Sequence, residues 1–215
     1  QVWSATEYGG KLMGHGASVF GVNFADGRIK GYPKLRPERG AHRMFVRYVR
    51  GNPDYGRNDF VDNRDGTVTD RATGLMWMQV DSGTLKAGPF GDGRMDWSQA
   101  LAWATSLVYA GRNDWRLPNA KELQSLVDYQ RSPQTSGSAA ISPMFRTRTI
   151  RDEGGNSNYP FYWSSTSHLD GRQPGSAAVY VAFGEALGFM RMPWSGAQPT
   201  LMDVHGAGAQ RSDPK

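Results

Sequence analysis

Hydrophobic positions follow two patterns, one helical and confined to the middle of the chain, the other alternating and found toward both ends. The helical pattern is clearest in residues 114–129. There Leu123, Leu126 and Val127 fall at i, i+3 and i+4, while Lys121, Glu122, Gln124 and Ser125 take the remaining positions. Asn119 offers a cap oxygen and Glu122, three residues on, reaches back to the cap amide, which sets the helix start. Asp96 and Gln99 repeat that start signal upstream, where Trp97, Ala100, Leu101, Ala104, Leu107 and Val108 trace an apolar face as far as Gly111. The short connection 111–118 predicts that both helices cover one side of a sheet. Trp97, Leu101, Leu123, Leu126, Val127 and Trp163 then share one core.

Alternation marks the strands. Phe20, Val22 and Phe24 alternate with Gly21 and Asn23, and the turn at 25–27 leads into 28–30, a hairpin. Residues 31–43 carry two prolines and five basic side chains, counting His42, without periodicity; they read as a surface loop returning to a strand at 44–50. Residues 67–70 and 75–78 form a second hairpin, with Gly74 supplying positive φ. Residues 62–66 read as an Asx-rich turn, because a calcium loop of EF-hand spacing needs an acid where Val61 stands. The glycine-rich run 82–93 reads as mobile and 132–159 as a long loop. Further strands are expected at 161–165 and 178–183, separated by a loop at 168–176.

Val2-Trp3-Ser4-Ala5-Thr6 is echoed by Tyr162-Trp163-Ser164-Ser165-Thr166, and Phe20-Gly21-Val22-Asn23-Phe24 by Val179-Tyr180-Val181-Ala182-Phe183. This implies two copies of one unit. Residues 1–51 carry the C-terminal part of the first, 52–57 link, and 58–215 form the second. Glycine, alanine, aspartate and proline fill 200–215, so the closing strand of the second copy is expected beyond residue 215. Pairing of 44–50 with 67–78 would then complete it; the other arrangement is a first segment packed only on itself.

Trp115-Arg116-Leu117-Pro118 followed by Lys121-Glu122-Leu123 resembles the signature of the bacterial DUF1566 family, the Lcl C-terminal domain. The 67–77 hairpin, Asp96-Trp97, the 162–166 motif and 179–183 support the likeness over 60 to about 190. The resemblance implies an α+β, C-type-lectin-like fold, loop-rich, with two helices packed on short antiparallel strands. It further implies a secreted, periplasmic or cell-surface bacterial protein that recognises rather than catalyses. Formylglycine-generating enzymes share that fold class but need active-site cysteines, and this chain has none.

Composition adds limits. Hydrophobic residues make up 38% of the chain, with 27 Gly and 12 Pro, as in a globular, turn-rich protein. No apolar run is long enough for a transmembrane helix. The net charge of +5 is uneven: residues 1–57 hold 10 Lys/Arg against 4 Asp/Glu, and 58–215 hold 15 against 16. The four histidines, 15, 42, 168 and 205, lie apart without metal spacing, so no metal or other cofactor is expected. Ser164-Ser165-Thr166 beside His168 lacks an orienting acid, and its hydroxyls read as partners for buried backbone near Trp163. Asp114, Arg116 and Asp128 read as a structural polar cluster.

The expected activity is noncatalytic binding of a glycan or another anionic polymer; the alternative is a structural module that packs on neighbouring domains or a protein partner. An uncharacterised hydrolase is a third reading, and no nucleic-acid partner is expected. Loops on a rigid scaffold carry the expected contacts. These are Lys30, Lys34, Arg36, Arg39 and Arg43 in the first copy, and His168, Asp170, Arg172, Arg191 and Trp194 in the second.

Overall fold

The computed structural model describes residues 1–36, 39–169, 171, 173–191 and 198–215. The chain opens with β1 (Val2–Tyr8), β2 (Ser18–Val22), β3 (Ile29–Pro33), β4 (Leu35–Arg36), β5 (Gly40–Ala41) and β6 (Phe45–Val46). A three-stranded sheet of β7 (Phe60–Asp62), β8 (Thr67–Asp70) and β9 (Leu75–Met78) precedes the helices α1 (Trp97–Ser106), α2 (Ala120–Ser125) and α3 (Pro133–Ser136). Then come β10 (Ile150–Arg151), β11 (Ser157–Asn158), β12 (Phe161–His168) and β13 (Ala177–Ala182). The last strands are β14 (Leu187–Met190), β15 (Thr200–Asp203) and β16 (Gln210–Pro214). The fold is mixed α and β, with few helices, many short strands and long loops.

Both helix starts form as their sequences require. Asp96 accepts from the Gln99 amide and Gln99 reaches back to Asp96; Asn119 and Glu122 do the same at α2. Glu122 also receives both ends of the Arg116 guanidinium at 2.7 Å, so that arginine pairs with the capping glutamate rather than with Asp114 or Asp128. α1 stops at Ser106, short of Gly111, and Val108 is 72% exposed. The Thr105 and Ser106 hydroxyls bond back to the carbonyls of Leu101, Ala102 and Trp103, competing with the helix ladder where it ends.

A seven-stranded sheet spans the molecule in the order β12-β13-β16-β3-β2-β1-β6. Its two hairpins share one register. Trp3 stands opposite Gly21 and Val2 opposite Val22, while Trp163 stands opposite Tyr180 and Tyr162 opposite Val181. Both registers slip at the same place, after Trp3 and after Trp163. At each slip a serine hydroxyl donates across to the partner strand, Ser4 to the Phe20 carbonyl at 2.7 Å and Ser164 to the Val179 carbonyl at 2.8 Å. Each serine oxygen also accepts the amide two residues on, from Thr6 and Thr166.

The third strands match as well. β3 lies on β2 from Ile29 opposite Val22 to Pro33 opposite Ser18, and β16 lies on β13 from Gln210 opposite Val181 to Pro214 opposite Ala177. The two halves meet where Gln210 faces Ile29, positions that correspond to each other.

Residues 200–215, read as irregular, thus hold β15 and β16, and the place beside β13 is filled from within the chain. The polar run Gln210-Arg211-Ser212-Asp213-Pro214 hid a strand whose partners, β13 and β3, lie far away in sequence. The expected 44–50 strand shrinks to Phe45–Val46 and runs parallel to β1 at Val2 and Trp3, without pairing to 67–78. The first segment does not pack only on itself either, since β3 joins β16.

One core lies between α2 and the inner side of β13, built from Leu123, Leu126, Ile141, Val181 and Phe183 with Trp77, Val127 and Tyr162 packed against it. Another joins Tyr8, Leu12, Phe20, Ala140 and Ala207 with Ile29 and Tyr129. A side chain at Gly31 would collide with Leu12, which explains glycine there. α1 instead sits at the β12 edge, so Trp97, Leu101 and Trp163 lie outside the α2 core. Trp97 Nε1 donates to the Ser164 carbonyl at 2.8 Å and Trp163 Nε1 to the Met95 carbonyl at 3.2 Å. The chain entering α2 completes this cover: the Ser165 amide donates to the Pro118 carbonyl at 2.8 Å, and the Ala120 amide to Thr166 Oγ1 at 3.0 Å.

Candidate functional site

Strand alternation sorts the side chains of the large sheet into two faces. On β3, Ile29 and Gly31 face the core, which turns Lys30 and Tyr32 to the other side. On β13, Val179 and Val181 are buried inward and Tyr180 points away, in register with Arg211 on β16. A row of aromatic and cationic side chains results: Trp163, Tyr180, Arg211, Lys30, Tyr32 and Trp3. Trp163 meets Tyr180 edge to face at 5.9 Å and 88°, and Trp3 meets Tyr32 at 6.1 Å and 89°. Lys30 Nζ lies 5.1 Å from the Tyr32 ring centroid. His42 closes the Trp3 end, 5.3 Å from its ring.

The face is electropositive. Burial lowers the Lys30 pKa, the nearby Arg211 charge lowers it further, and Asp26 opposes both. Burial and then Asp213 push the Tyr180 hydroxyl up to about 12, with Arg211 acting against them. His205 is pushed down to about 3, first by burial and then by the positive charges of Arg211, Lys30 and Arg28, so it is neutral. Its buried Nδ1 has no hydrogen-bond partner among the described residues. Burial and Arg36 likewise lower His42. Neither Lys30 nor Arg211 forms an ion pair among the described residues. Two such cations flanked by aromatic edges suit an anionic group carried on a body that stacks or packs.

The predicted residues fall in different places. Lys30 is in the row. Lys34 pairs with Glu7 at the rim, Arg36 on β4 contacts His42, and Arg39 and Arg43 are exposed nearby. Arg191 is exposed after β14, outside the large sheet. Asp170, Arg172 and Trp194 lie outside the described residues.

His168 is a clip between the two halves: Nε2 is 2.7 Å from the Asp26 carbonyl and Nδ1 2.9 Å from Ser212 Oγ. A carbonyl only accepts, so Nε2 carries a proton and donates it to Asp26. Arg211, Tyr180, Tyr32 and Trp3 were missed as site residues. The shared proline that ends the third strand of each half, Pro33 and Pro214, was the signal that could have placed Arg211 beside Lys30.

Residues 66–197, more than half of the chain, match the family model of the Lcl C-terminal domain, and the chain belongs to that family. The match contains Trp163 and Tyr180; the rest of the row lies outside it. No curated protein and no solved structure matches the chain. No helix among the described residues is long and apolar enough to cross a membrane.

Proposed function

We propose that this chain is a noncatalytic recognition module of a secreted, periplasmic or cell-surface bacterial protein, of C-type-lectin-like fold, that binds a glycan or another anionic polymer. The observation that carries the reading is the pair of cations, Lys30 and Arg211, that form no ion pair among the described residues and stand between two edge-to-face aromatic pairs. In this reading residues 1–51 are the C-terminal part of a first family repeat, and the polymer lies across the face shared by both halves. Lys34, Arg36, Arg39 and Arg43 extend the positive rim.

Binding of dextran sulfate, with unsulfated dextran as control, tests it at two salt concentrations. Affinity should fall steeply as salt rises, because the contacts are electrostatic. Lys30→Glu with Arg211→Glu should weaken binding by at least about tenfold, in line with the typical worth of charge-assisted contacts. Unchanged affinity in that double variant overturns the assignment.

A second reading has its own support, a structural module that packs on a partner domain. Phe45, Tyr48 and Val49 are 81%, 93% and 96% exposed at the β6 end of the sheet. Association through them would be insensitive to salt.

A further inference from the structure

The two hairpins have the same backbone and opposite surroundings. On β12, the Ser164 carbonyl, the Ser165 amide and the Thr166 hydroxyl are taken by Trp97, Pro118 and Ala120, and Ser164 is fully buried. The corresponding positions on β1 are Ser4, Ala5 and Thr6. Among the described residues no helix reaches them, and Ser4 and Ala5 are exposed. β6 pairs only with Val2 and Trp3 and stops short of this stretch.

The apolar side shows the same contrast. Two residues beyond the matched pair Val22 and Val181 stand Phe24 and Phe183. Phe183 has 0% exposure under α2, whereas Phe24 is 69% exposed, beside a cavity of about 480 Å³ that Val2, Phe45 and Val46 also line.

We propose that the β1 edge from Ser4 to Thr6, together with Phe24, is a docking surface for a helical unit of the α1–α2 build. The occupant brings an indole N–H for the Ser4 carbonyl, a carbonyl from a Leu-Pro-Asn turn for the Ala5 amide, a helix N-terminal amide for the Thr6 hydroxyl, and leucines for Phe24. It comes from another domain of the same family, presented to β1 as α1 and α2 are presented to β12. A loose peptide or an unrelated apolar surface would satisfy Phe24 but not the three polar groups at the bulge.

The experiment appends a second copy of residues 58–160 ahead of Gln1, so that Pro160 precedes Gln1 as it precedes Phe161. Hydrogen exchange is then followed over residues 1–8 and 161–168. Exchange at residues 3–6 should slow by at least tenfold and approach that of 163–166. Replacing the tryptophan of the appended copy that corresponds to Trp97 by alanine should reverse much of the protection. If exchange at 3–6 is unchanged while 161–168 keeps its protection, the surface does not take this unit and the proposal fails, whether the appended segment is folded or not. Dextran sulfate binding is a separate readout, so the polymer reading can fail without this one.

Discussion

The hairpins β1–β2 and β12–β13 carry the same register, the same slip and the same serine bridge, yet at the bulge one is roofed by helices and the other is exposed, with no helix over it among the described residues. The bridge is therefore a local product of Trp-Ser-x-Thr facing its partner strand, formed with or without a roof. Burial, and the stability that follows from it, comes from elements contributed elsewhere in the chain.

The largest expected difference is at the paired phenylalanines. Phe183→Ala should cost about 3 to 5 kcal/mol, as deletions of fully buried rings do. Phe24→Ala should stay within about 0.5 kcal/mol, the range of exposed sites. Urea midpoints of the two variants measure both, and equal losses would show that the first hairpin is already covered.

The seam between the halves responds to acid. His205, whose carbonyl accepts the Gly31 amide, has its folded pKa lowered to about 3 from 6.5. The neutral ring is thus favoured in the fold, and its contribution is complete above about pH 6.5 and is lost as pH falls toward 3. Asp203 acts in the opposite sense: burial raises its pKa, so its contribution is complete below its ordinary value and declines as pH rises through the folded one. Stability should fall by on the order of 2 kcal/mol between pH 7 and 4, after discounting for partial exposure. His205→Gln should flatten that slope; an unchanged pH profile in the variant would remove the histidine from the account.

The smallest effect separates the serines. Ser164→Ala leaves the Val179 carbonyl and the Thr166 amide without their buried partner and should cost about 1 to 3 kcal/mol. Ser4→Ala removes the same bonds where water can replace them, and should cost under about 0.5 kcal/mol. The comparison is sharpest in thermal unfolding of the two single variants.

Local chemistry was legible in the residues, and long-range placement was not. Asn119 with Glu122 and Asp96 with Gln99 announce their helices within four positions, and both caps form. The Asx turn at 62–66 is equally local, with Asp62 accepting the Arg64 amide and Asp65 the Thr67 amide. The repeated motif set two hairpins in equivalent register because each depends on its own strands. Periodicity could not tell Phe24 from Phe183, since both end the same alternating run and only tertiary cover separates them. Arg211 was invisible as a site residue because it belongs to a polar run whose partners, β13 and β3, are distant. The exposed stretch 44–50 carried strand-forming residues, but only two of them find a partner edge.

The seam at Ile29 and Gln210 has one further consequence. One backbone register position, the His168 clip, Tyr8 donating to Asp203 at 2.7 Å across 195 residues, and the shared core of Tyr8, Leu12, Phe20, Ala140 and Ala207 tie the first segment to the rest of the chain. The exposed tether at 51–57 adds to this an effective concentration in the millimolar range, typical of short linkers. Proteolytic cleavage of that tether would leave the fold dependent on protein concentration, turning one chain into a two-fragment complex that dissociates on dilution.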